Sequence, residues 1–179
     1  MEFTTGVNEA ESLDAVRDDD WEPWLPFEHP LTRWFVGILV DWLSWYEKKH
    51  GDPPSAVSRH EIPASELEEV LRYQGTTARP GDILIVRSGY VRWHNFAAPA
   101  VRKLGTQDNS TAIGVQNNEA TVRWLYDHHF AAVAGDTVAF EAWPPPISSG
   151  WCLHEWLLVQ FGTPIGEVSL MRIIHLRSY

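Results

Sequence analysis

The residues with the most chemical promise lie late in the chain. His154 stands in Trp151-Cys152-Leu153-His154-Glu155-Trp156-Leu157-Leu158, at the start of an apolar segment, and Glu167 follows just after Pro164-Ile165-Gly166. A histidine at a helix start and an acid on the next strand can converge on one metal ion, because the helix packs back onto the sheet. Imidazole nitrogen together with carboxylate oxygen suits Zn or Mn. The same spacing equally suits a hydrogen-bonded core histidine and an exposed glutamate, and spacing alone favours that plainer arrangement. Three further polar groups close apolar runs: Asp41, Arg87-Ser88-Gly89 and Asp136. Ligands of open α/β sheets bind beyond the carboxyl ends of the strands, which makes Asp136 and Arg87 candidate substrate contacts. Against that, a strand-end aspartate is commonly a turn former or helix cap, and an arginine there commonly serves a structural ion pair.

The other histidines carry less. His128-His129 close a predicted helix, where cationic residues complement the helix dipole, and adjacent residues point to different faces. His29, His50, His60, His94 and His175 fall in loops, at helix ends or near the C-terminus. The sequence holds no HExxH, GxSxG, CxxC or glycine-rich phosphate loop, so a zincin, a nucleophile-elbow hydrolase and a P-loop enzyme are poor fits. The single cysteine, Cys152, excludes an internal disulfide framework. Its apolar surroundings predict a buried, unreactive thiol.

These groups need a scaffold, and the apolar pattern supplies one. Val36–Val40, Ile83–Val86 and Ala131–Ala134 are short apolar runs between turn signals and read as buried strands. Trp42–Lys49 reads as a helix with Trp42, Trp45 and Tyr46 on one face. Ser65–Tyr73 reads as a helix with a Ser65/Glu68 capping box and an apolar stripe of Leu67, Val70 and Leu71. A helical turn is predicted around Pro99–Leu104, and Ile113–Val115 is short and extended. Asn118–Phe130 reads as a helix capped by Asn118, Trp151–Phe161 as an apolar helix, and Ile165–Leu170 and Ile173–Leu176 as extended pieces. Strand and helix alternate, which predicts an α/β layered domain over residues 21–179. Residues 1–20 read as an acidic, disordered tail ending in Asp18-Asp19-Asp20.

Composition narrows the partners. The formal charge of −10 repels phosphate backbones, which argues against nucleic acid. No apolar run approaches the length of a membrane span, and the N-terminus lacks the apolar core of a signal peptide, so the cytoplasm is the expected location. Ten tryptophans are many for 179 residues. Their first reading is core, and a surplus left outside would suit an interface or a small-ligand surface.

The order of segments resembles a known family, the metal-dependent cyclases and kynurenine formamidase-like hydrolases, and its fungal members in particular. The similar segments are His29-Pro30-Leu31-Thr32-Arg33 running into Gly37–Trp42, Ser58-Arg59-His60-Glu61-Ile62, Arg79–Gly89, Glu119–Asp136, Ala139–Pro144, Leu153–Leu158 and Pro164–Glu167. The resemblance implies a single α/β domain with a β-barrel-like mixed sheet and flanking helices. It also implies two divalent metals, Zn or Mn, that activate water against an amide, ester or lactone bond of a small molecule. On that likeness His154 would hold one metal and Glu167 would bridge both. The family's HxGTHxDxxxH motif is not found in this sequence. Its place would precede residue 29, so the expectation is a shortened family member whose metal occupancy is low. Two functions follow as expectations: a cyclase or hydrolase in fungal secondary metabolism or tryptophan catabolism, or a non-catalytic interaction module. The latter would form a homo-oligomer or pair with a full-length paralogue.

Overall fold

The computed structural model describes residues 37–146 and 150–167. The acidic tail, Val36, His29, His175 and the piece Ile173–Leu176 lie outside these residues.

Apolar runs bounded by turns give short strands, and all the strand pairs described are parallel. The main sheet has the order β1 (Gly37–Val40), β3 (Ile83–Val86), β5 (Ala132–Gly135), β6 (Ile165–Gly166). Val40 sits beside Val86, Val86 beside Gly135, and Gly166 beside Ala134. The chain therefore leaves β1, β3, β5 and β6 along one sheet edge. Burial alternates along β3, with Leu84 and Val86 inside and Ile83 and Ile85 half-covered, because successive side chains point to opposite faces.

Helices cover the sheet. α1 (Trp42–His50) begins where Asp41 accepts a hydrogen bond from Ser44 N at 3.1 Å, and it buries Trp42 and Trp45. α2 (Ala64–Gln74) buries Leu67, Val70 and Leu71 and packs on β1, α1 and the later helix α5 (Glu119–His128). The expected Ser65/Glu68 capping box is absent. The helix starts at Ala64 with Pro63, two residues before Ser65, at its N-cap; the Pro63 carbonyl accepts from Glu66 N and Leu67 N, and Glu68 instead receives the Trp124 indole N–H at 3.1 Å. Asn118 does cap α5, accepting from Thr121 N at 2.8 Å. That helix stops at His128, short of the expected Phe130, because His129 turns into the left-handed region at φ 52°. Between β3 and β4 (Gly114–Val115) lie α3 (Tyr90–Phe96), α4 (Pro99–Lys103) and a π-helical turn at Leu104–Asp108. The helix expected at Trp151–Phe161 begins at Leu153 and is wound as a π-helix over Glu155–Phe161.

A second, smaller sheet pairs β2 (Glu61–Ile62) with β4 (Gly114–Val115), and bridges tie it to Glu141 and Trp143. Gly114 is the tight point. A Cβ there would overlap the Glu141 carbonyl group and approach the Ala142 nitrogen to 2.6 Å. Both obstacles are backbone and cannot swing aside. Gly37 meets only the Ile85 side-chain tip at 3.2 Å. Gly114→Ala is expected to lose about 1–3 kcal/mol of stability in urea titrations, and Gly37→Ala clearly less. Equal losses would remove the close crossing as the cause.

Candidate functional site

Glu141 lies in Ala139–Trp143, between β5 and the last helix of the described residues, Leu153–Phe161, and is fully buried. A buried carboxylate needs donors, and its oxygens are surrounded by them. Oε2 accepts from Leu153 N at 2.8 Å and from the Asn117 amide. Oε1 accepts from His154 N at 3.0 Å and faces the Cys152 thiol at 3.6 Å. Leu153 N and His154 N open the last helix, where backbone N–H groups have no partner within the helix and favour negative charge. One side chain therefore caps this helix from elsewhere in the sequence.

The same carboxylate also takes the His154 ring. Nδ1 lies 2.5 Å from Glu141 Oε1, and Nε2 lies 2.9 Å from Glu167 Oε1. A neutral imidazole has one N–H. Carboxylates on both nitrogens fit the doubly protonated ring. The Glu141 hydrogen bond is the main force raising the His154 pKa; burial opposes it, and the Glu167 hydrogen bond adds to it. Burial pushes the Cys152 thiol up, so it stays protonated, although the residue is half-covered rather than fully buried.

His154 and Glu167, paired in the sequence as candidate metal ligands, are thus in contact. Glu141 was not singled out there as a site residue. The available signal was a carboxylate inside the apolar stretch Ala139-Phe140-Glu141-Ala142-Trp143. Arg87 and Asp136 stand at the same sheet edge, but their polar atoms are engaged locally. Arg87 pairs with Asp41 at 2.8 Å and reaches Ser44 Oγ at 3.2 Å. Asp136 is buried and accepts from Ser88 N at 2.6 Å, Ser88 Oγ at 2.7 Å and Gly89 N at 2.9 Å. Burial pushes its carboxyl up, opposed by those hydrogen bonds and by the Arg87 charge. Gly89, at φ 104°, gives the loop the backbone conformation this clamp requires.

A cavity of about 350 Å³ opens elsewhere, lined among others by Tyr126, Phe130, Val133, Phe161 and Thr163. Neither His154 nor Glu167 lines it. Among the described residues, no group of three or more His, Cys, Asp or Glu side chains is arranged to hold a metal ion. No helix there is long and apolar enough to cross a membrane.

The family model described as "Putative cyclase" matches residues 28–142, more than half of the chain. The chain belongs to the cyclase family. A solved structure described as a novel cyclase is 30% identical, with a TM-score of 0.59, over 74% of this chain and 39% of its own. The cyclase-family chain thus spans well under half of that relative. Isatin hydrolase A from Ralstonia solanacearum aligns at 14% identity and a TM-score of 0.40, over 60% of this chain and 38% of its own, too distant to carry an argument. No curated protein matches. The family match ends at residue 142, just past Glu141, and leaves His154 and Glu167 to be judged on geometry.

A raised folded-state pKa stabilises the protein below the ordinary histidine range, and that stability is lost as pH rises through the raised value. In metal-free buffer, the stability gap between wild type and His154→Gln should be wider at about pH 6 than at about pH 9, as read from urea midpoints. A gap that is constant, or that widens with pH, would remove the imidazolium between the two glutamates.

Proposed function

We propose that this cyclase-family chain carries part of a divalent-metal site for cleaving or closing an amide, ester or lactone bond of a small molecule. In this reading His154 and Glu167 are the metal-facing donors. The observation that supports it most is the held ring: Glu141 fixes Nδ1 at 2.5 Å, leaving Nε2 directed at Glu167 Oε1, 2.9 Å away. Metal-ligating histidines almost always anchor their second nitrogen in this way, on a carboxylate or a carbonyl. The donor set suits Zn or Mn.

A divalent ion held there would polarise a carbonyl and acidify water. The chain's own part is to present the donors. His154 must release the Nε2 proton before that nitrogen can face a cation, and Glu141 keeps the ring from turning while it does so. Two protein donors leave most coordination positions to water, so retention is weak. The likeness of His29–Arg33 running into Gly37–Trp42 to fungal family members supports a place in fungal secondary metabolism or tryptophan catabolism.

A second reading is favoured by exposed apolar side chains, among them Phe96 (83% exposed), Val159 (72%) and Leu104 (61%). They suit an interface, with a second copy or a longer family member as partner and no catalysis by this chain.

Zinc or manganese titrated into the purified chain should bind weakly and be lost on dialysis. His154→Ala and Glu167→Ala should each weaken binding at least about tenfold, or ~1.4 kcal/mol. N-formylkynurenine should be hydrolysed negligibly. Binding that ignores both substitutions would sink the metal-facing pair. Stoichiometric metal, with turnover abolished by His154→Ala, would show that further ligands within these residues complete the site.

A further inference from the structure

Asn117 makes no hydrogen bond to His154 among the described residues, yet it bears on it. Its neighbours have other tasks. Gln116 N bonds to Ile62 O at 2.8 Å and its side chain reaches Glu61 at 3.2 Å, while Asn118 caps α5. Asn117 lies between them, 5% exposed. Its Nδ2 donates to Glu141 Oε2, and its Oδ1 is buried with no partner among the described residues. An idle buried acceptor is costly, and an apolar side chain of the same size would fill the space without that cost. The service visible in the structure is to Glu141.

That service has a mechanical meaning. The last torsion of a glutamate side chain is soft and roughly two-fold, so an unpinned carboxylate can rotate either oxygen toward a neighbour. Asn117 and Leu153 N hold Oε2, which leaves Oε1 facing His154 N and Nδ1. We infer that Asn117 is a positioning residue: through Glu141 it holds the His154 ring in the orientation that directs Nε2 at Glu167. The inference rests on the proposed reading of His154 and Glu167 as the metal-facing pair, and its test is arranged so that the two can fail separately.

The test uses the full 179-residue chain carrying Asn117→Leu, which keeps the number and branching of side-chain heavy atoms and removes the amide. Asn117→Ala serves as a second variant if the first does not fold. Two quantities are read: the nitrogen-15 signals of the His154 ring in metal-free protein, and ZnCl2 affinity by calorimetry at one pH. The ring signals should shift or broaden, and zinc affinity should fall about tenfold, the lower end for loss of a residue behind a ligand. Ring signals that stay unchanged overturn the inference, even if the melting temperature drops, because a merely structural residue would leave the ring alone. If wild type takes up no zinc that His154→Ala removes, the metal reading fails, and the ring signals still decide the role of Asn117.

Discussion

The buried carboxylate of Glu141 is the interaction on which the rest of this site depends. Taking a carboxylate out of water is expensive, and only several well-placed donors offset the cost. Those donors come from distant parts of the chain: Asn117 before α5, the backbone of Leu153 and His154, and the His154 ring. One group thereby fixes where the last helix starts, which way His154 faces, and how the Ala139–Trp143 segment lies against β4. Gly114 permits that close crossing. The π winding over Glu155–Phe161 begins directly after His154, and π-helical turns often accompany functional sites.

The parallel sheet does a different job. Its register lines up Asp41, Arg87 and Asp136 just beyond paired residues of β1, β3 and β5. Asp41 caps α1 and holds Arg87, and Asp136 clamps the Ser88-Gly89 turn. These polar groups anchor the loops leaving the strands. Glu167 leaves β6 at the same edge and meets His154, so the sheet and the Glu141 cap together set the candidate pair.

Much of the scaffold was legible in the sequence because apolar runs and local caps act over a few residues. Ile83–Val86 emerged with its predicted bounds, and Asn118 caps α5 through its own side chain. The start of α2 was misjudged: Ser65 and Glu68 have capping-box spacing, but Pro63 is already extended and offers its carbonyl, and Glu68 is drawn to Trp124. The role of Glu141 was less legible, because two of its partners are backbone N–H groups that carry no residue identity. Asn117 was equally silent, lying beside two amide side chains of similar type. The pairing of His154 with Glu167 came from a family likeness, since their spacing alone fits a core histidine as well.

The central claim is that Glu141 and His154 act as one unit. A double-mutant cycle on urea stability, with Glu141→Gln and His154→Gln separately and together at about pH 6, tests it most directly. A coupling of about 1 kcal/mol or more, within the range for contacting residues, is the predicted result. Additive losses, with coupling near zero, would contradict it.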